Sequence, residues 1–121
     1  MQFIRKALWK RRHLKQLAHS AYSKESDALY FEHVILPSIQ KLIATEERDR
    51  DLNLGRIKTM ENDTEYNARQ TKKELEGLVD VENAQIERHK NQLETLGNQM
   101  RQLRSEAKEL WERHNFAKLF F

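Results

Sequence analysis

Two interleaved seven-residue ladders constrain this chain more than any other feature. One reads Val79, Ile86, Leu93, Met100, Ala107; the other reads Leu75, Glu82, His89, Leu96, Leu103, Leu110, Ala117. The steps between them alternate four and three, the a/d pattern of a coiled-coil seam held for about six heptads. No Pro interrupts the stretch. Gly77 and Gly97 fall off the seam, each weakening the helix by roughly 1 kcal/mol relative to Ala. The pattern predicts one long helix, capped by Asp63 or Thr64 and running to about Lys118, which would extend about 80 Å.

Composition points the same way. Of 121 residues, 38% are apolar and 34% charged, with three Gly and one Pro. Such a chain is too polar to fill a compact globular core and too poor in breakers to be loop-rich. The expected fold is all-α, with elongated helices, a long C-terminal coiled-coil helix, and a middle helix able to fold back on it as a hairpin. The chain has no Cys, which excludes disulfides, thiolate metal sites and thiol nucleophiles. Its most hydrophobic stretch, residues 28–44, carries Glu32, His33, Gln40 and Lys41, so no transmembrane span is expected.

Three segments follow: a basic amphipathic arm over 1–24, a Pro-interrupted helical segment over 25–62, and the coiled-coil helix with its aromatic tail over 63–121. In the first, Phe3, Ala7, Leu14, Leu17, Ala18 and Ala21 recur at helical spacing, with Ile4, Leu8 and Tyr22 on the adjoining edge. Arg11 and Lys15 fall inside that apolar arc, whereas Trp9 points away from it. Residues 23–27 read as a break, with Ser26 or Asp27 capping a new helix. The strand formers from Ala28 to Leu36 have no pairing partner in the chain and read as helix, with Phe31, Ile35, Ile39 and Leu42 in a stripe. Pro37 kinks that helix or opens the next. Beyond it, residues 45–51 are nearly all charged, and Leu52, Leu54, Ile57 and Met60 make a thin stripe. Gly55 and Asn62-Asp63-Thr64 are the candidate breaks, the second the stronger.

Charge is spread unevenly. The first 24 residues hold seven cations and no acid, while the other 97 hold 15 cations and 19 acids. In composition the arm resembles a mitochondrial targeting presequence. Its exposed chemistry, Arg5, Lys6, Lys10, Arg11, Arg12 and Lys15 with Trp9 among them, suits two partners. It could neutralise phosphates and stack on the bases of RNA, or lie on anionic lipid headgroups with its aromatic residues at the interface. At the other end, Phe116, Leu119, Phe120 and Phe121 form an apolar tail expected to anchor in a partner surface or a headgroup layer.

Enzyme signatures are lacking. The chain has no glycine-rich phosphate loop, no His-Glu-x-x-His pair and no Gly-x-Ser-x-Gly elbow. His13, His19, His33, His89 and His114 show no spacing of three or four, the spacing that puts two metal ligands on one helical face. No catalytic, cofactor or metal site is expected. The cluster Glu46-Glu47-Arg48-Asp49-Arg50 reads as a solvated, ion-paired surface. Glu82 and His89 at d positions and His114 at an a position lie inside the seam, where polar residues cost stability but fix register and partner. A neighbouring subunit is the expected source of groups that satisfy them, and a pH-sensitive pairing at His89 is the sharper alternative.

Within the seam, Ile86-Glu87-Arg88-His89-Lys90 looks like the coil region of the mitochondrial ATPase inhibitor protein, a pH-dependent regulator. The likeness covers this short stretch, and the chain lacks the glycine-rich segment that precedes that family's inhibitory helix. The expected function is that of a non-catalytic structural accessory subunit of a large assembly, a mitochondrial inner-membrane respiratory or ATP synthase complex. Its docking seam would be Leu75, Val79, Ile86, His89, Leu93, Leu96, Met100, Leu103 and Leu110, facing other protein subunits on the matrix side or peripheral to the membrane. The alternatives are a mitochondrial ribosomal protein with an RNA-binding arm and a self-associating coiled-coil regulator.

Overall fold

In the computed structural model, which describes residues 2–120, every element is helical. Helix α1 spans Gln2–Tyr30, a π-helical turn Phe31–Ile35, helix α2 Leu36–Thr59 and helix α3 Tyr66–Phe120. The break expected at residues 23–27 is absent: α1 runs straight through Ser23, Ser26 and Asp27. Tertiary packing explains this. Ala21, Lys24 and Ala28 lie on the covered face of α1, so capping residues between them stay helical. The interruption falls at the π turn instead. Pro37 has no N–H, and in an α-helix its ring would strike the carbonyl of residue 33. A wider turn ahead of it relieves the clash.

The chain packs as two compact units. The first joins α1 and the π turn to the part of α3 from Leu96 onward. Lys24 Nζ lies 2.6 Å from Glu106 Oε2, Glu32 pairs with Arg104, and Lys10 Nζ donates to the carbonyl of Lys118 at 3.2 Å. As numbers rise along α1 they fall along α3, so the two helices are antiparallel. The covered face of α1 follows alternating steps of three and four through Leu14, Leu17, Ala21, Lys24, Ala28 and Phe31. It closes on Met100, Leu103, Ala107, Leu110 and Ala117, and the buried apolar residues among those described in this unit are alanines: Ala21, Ala28, Ala107 and Ala117.

The second unit is a helical hairpin of α2 and the first half of α3. Between them, α2 tapers through i→i+3 bonds, Met60 N to Ile57 O at 3.0 Å and Asp63 N to Met60 O at 3.1 Å. Asp63 Oδ1 then accepts from Glu65 N at 3.0 Å, and Arg69 N opens α3 by donating to the Glu65 carbonyl. The turn thus falls at the Asn62-Asp63-Thr64 break, while Gly55 stays inside α2. Ile43, Val79 and Ile86 are the buried apolar residues here, and Asn53 is buried beside them.

Every heptad position of α3 from Leu75 to Ala117 is wholly or partly covered. The stripes expected on α2 fare less well. Leu42, Leu52 and Leu54 are exposed, and the face turned to α3 is Ile39, Ile43, Glu46, Arg50, Asn53, Ile57 and Met60. Heptad spacing, not apolar character, selects that face. Glu46 and Arg50 were expected on a solvated surface, and they lie in the seam instead.

Candidate docking surface

Two features of the surface bear on function, the polar layers of the α2–α3 seam and the basic, aromatic end of the first unit. In the hairpin, His89 Nδ1 lies 2.6 Å from Glu46 Oε1, with side chains 26% and 16% exposed. Asn53 Nδ2 donates to Glu82 Oε1 at 2.8 Å, and Arg50 Nη1 donates to Asn83 Oδ1 at 3.3 Å. Lys90 adds a pair with Glu47 at 3.5 Å on the rim. The chain itself supplies the partners for Glu82 and His89. No buried polar side-chain atom among the described residues lacks a hydrogen bond. His114, at the remaining polar seam position, sits edge-on to Trp111 with ring centroids 5.4 Å apart and reaches Asn115 Oδ1 at 3.3 Å.

The seam residues named as a docking surface divide between the units. Leu75, Val79, Ile86, His89 and Leu93 lie on the covered face of the hairpin; Leu96, Met100, Leu103 and Leu110 lie on that of the first unit. What faces them is helix from the same chain. Sequence reasoning missed Glu46, Arg50 and Asn53 as their counterparts, because a heptad carried by charged residues looks like a solvated one. The signal was present in the spacing, since Ile43, Glu46, Arg50, Asn53 and Ile57 alternate steps of three and four.

The basic end is built differently. Lys10 reaches the last turns of α3, which leaves residues 2–9 ahead of the paired region. Phe3, Ile4, Leu8 and Trp9 are all exposed there, Phe3 to 85%. On α3, Phe116, Leu119 and Phe120 are exposed as well, Leu119 to 79%. Phe121 lies outside the described residues. Each helix carries a ring pair at this end, and a cleft lies between them. Trp9 stacks on His13 at 5.0 Å and 10°. His13 shares a surface cleft with Leu17, Phe116 and Ala117, and Phe116 packs on Phe120 at 4.7 Å. Arg5, Lys6, Arg11, Arg12 and Lys15 are exposed around α1, with Lys10 partly covered. Residues 2–18 carry six cations and no acid, while on residues 109–120 Arg113 and Lys118 offset Glu109 and Glu112.

A second groove in this unit, of about 540 Å³, runs between Ala28 and Leu29 on α1 and Arg104, Lys108 and Trp111 on α3. Trp111 Nε1 donates across one end to Glu25 Oε1 at 2.6 Å. Among the described residues no three His, Asp or Glu side chains converge to hold a metal ion, and no helix is long and apolar enough to cross a membrane. The chain matches no family model, no curated protein and no solved structure.

Proposed function

We propose that this chain is a non-catalytic accessory subunit of a larger assembly, a respiratory or ATP synthase complex at the mitochondrial inner membrane. The supporting observation is the first turns of α1, where cations and large apolar side chains stay exposed together. Apolar surface of that kind is stabilised by a partner, and on turns free of acids, as residues 2–24 are, the partner is one that welcomes positive charge. The presequence-like composition of the same segment supports the mitochondrial address. Scattered exposed residues on the hairpin, Leu52, Leu78 and Val81 among them, offer contact points to neighbouring subunits. Self-association through the heptad seam would first have to displace α1 or α2, which disfavours a regulator acting as a homotypic coil.

The second reading, a ribosomal protein, draws on the same exposed cations and on Trp9 as a base-stacking platform. A pull-down of the tagged full chain from its own cells, with and without nuclease, separates the two. Stoichiometric recovery of membrane-complex subunits that survives nuclease supports the accessory-subunit reading. Recovery of ribosomal RNA with ribosomal proteins, lost on nuclease treatment, overturns it.

A further inference from the structure

We infer that the end of the first unit where α1 begins and α3 finishes is a docking tip for an anionic lipid surface. Phe3, Ile4, Leu8, Trp9, Leu119 and Phe120 enter the headgroup layer, and the cations behind them meet lipid phosphates. The inference rests on reading residues 2–15 as a docking element, but not on membership in any assembly.

The layout carries the argument. Ile4, Leu8, Arg11 and Lys15 follow steps of four, three and four, so they share one exposed stripe in which apolar side chains lead and cations trail by one to two turns. On the other flank the ring pairs Trp9–His13 on α1 and Phe116–Phe120 on α3 lie at the same end, on either side of a shared cleft. Trp and Phe with a polar or basic neighbourhood are the residues that settle at a membrane interface. Arg5 and Lys6 lie within the apolar turns, and their long stems let the charges reach outward to phosphate. Among the described residues from 2 to 18 no carboxylate opposes an anionic surface.

Nucleic acid fits the cations equally well but not the aliphatic residues. Bases stack on aromatic rings, whereas Ile4, Leu8 and Leu119 have no counterpart on a phosphate backbone and are best covered by acyl chains. A lipid surface uses all of the exposed residues at this end.

Co-flotation of the full chain with phosphatidylcholine vesicles, with and without phosphatidylglycerol, tests the proposal. Binding is expected on the anionic vesicles at least about tenfold above the neutral ones, weakening with salt. Replacing both Lys6 and Arg12 by Gln is expected to lower it by about 20- to 30-fold at low salt, from roughly 1 kcal/mol per charge. Trp9→Ala with Phe120→Ala is expected to lower it about tenfold or more. All four side chains are exposed, so circular dichroism should show unchanged helicity in both double variants. Quenching of Trp9 by brominated lipid, read in a Trp111→Phe background, is the positional readout. No binding to anionic vesicles, or binding unchanged by the aromatic double variant, overturns the proposal. So does tight binding to an RNA oligonucleotide that vesicles do not compete. A failed flotation beside a successful pull-down would remove the lipid contact while leaving the accessory-subunit reading in place.

Discussion

The two units solve the same problem with opposite materials. Where α1 meets the second half of α3, the buried side chains among the described residues are those of alanines, Ala21, Ala28, Ala107 and Ala117. Small side chains on both faces permit close approach of the helix axes, and the larger, partly covered Leu103, Leu110 and Trp111 fill the space between the alanine layers. Where α2 meets the first half of α3, β-branched residues fill the seam, and layers of Glu46–His89 and Asn53–Glu82 alternate with them. An alanine seam is sensitive to added volume. A mixed seam is sensitive to lost volume and to broken hydrogen bonds.

The largest effect is expected at Ile86, 3% exposed in the middle of the hairpin seam. Ile86→Ala should destabilise by about 2–4 kcal/mol, from lost transfer energy plus the space left behind. Urea unfolding followed by circular dichroism reads it; a loss near zero would mean that the hairpin collapses around the gap. The converse change, Ala107→Leu, should cost about 1–3 kcal/mol by overpacking the alanine seam. A neutral or stabilising result would show that the seam holds slack.

Next come the polar layers. Glu82→Leu alone strands the amide of the buried Asn53 and should destabilise by about 1–3 kcal/mol. The double change Asn53→Leu with Glu82→Leu should recover that loss and raise stability above the parent, as apolar replacement of both partners commonly does. The double-mutant cycle isolates the coupling, and additive losses would remove this layer from the account. What the layers supply is register. The native pairs disfavour neighbouring registers, a constraint added to that of the short turn between α2 and α3.

Helix propensity gives a smaller increment of the same sign in both units. A Cβ on Gly77 meets nothing within 4 Å, and one on Gly97 meets only the mobile end of Arg101 at 3.7 Å. Gly77→Ala and Gly97→Ala should therefore each stabilise by about 0.5–1 kcal/mol in thermal melts. A loss at Gly97, whose backbone is buried, would mean that the alanine seam tolerates no added methyl even at its edge.

How much of this was legible depended on which code a seam used. The heptads of α3 are written mostly in Leu, Ile, Met and Ala, and from them the long helix, its seam and its position after Asn62-Asp63-Thr64 all follow. The seam of α2 is written partly in Glu46, Arg50 and Asn53. Burial of such residues depends on partners that appear only once His89, Asn83 and Glu82 are brought opposite. For the same reason Ser23–Asp27 read as a cap: local hydrogen-bonding preference pointed one way, and the coverage of Ala21 and Ala28 by α3 decided the other. The exposed end of α1 was legible in its cations and aromatic residues. That Phe116 would share a cleft with His13 was not, because antiparallel register is a property of the folded pair.

The smallest effect distinguishes the units by their ion pairs. Lys24 and Glu106 close the first unit across its flank at 2.6 Å, both about one-third exposed. The hydrogen bond from Lys24 holds the Glu106 carboxyl below its ordinary range, helped by the Gln102 amide and the Lys24 charge and opposed by partial desolvation. A carboxylate whose folded value is depressed contributes stability that is full above the ordinary carboxylate range and fades as pH falls through the folded value. The stability gap between the parent and Lys24→Ala should therefore be widest near neutral pH and close on acidification. An open surface pair of this kind contributes little, and salt should shrink the gap further. Melts of the two proteins across that range, at low and high salt, read the difference. If the gap stayed constant with pH, Lys24 would be acting through the packing of its aliphatic stem on the alanine seam rather than through its charge.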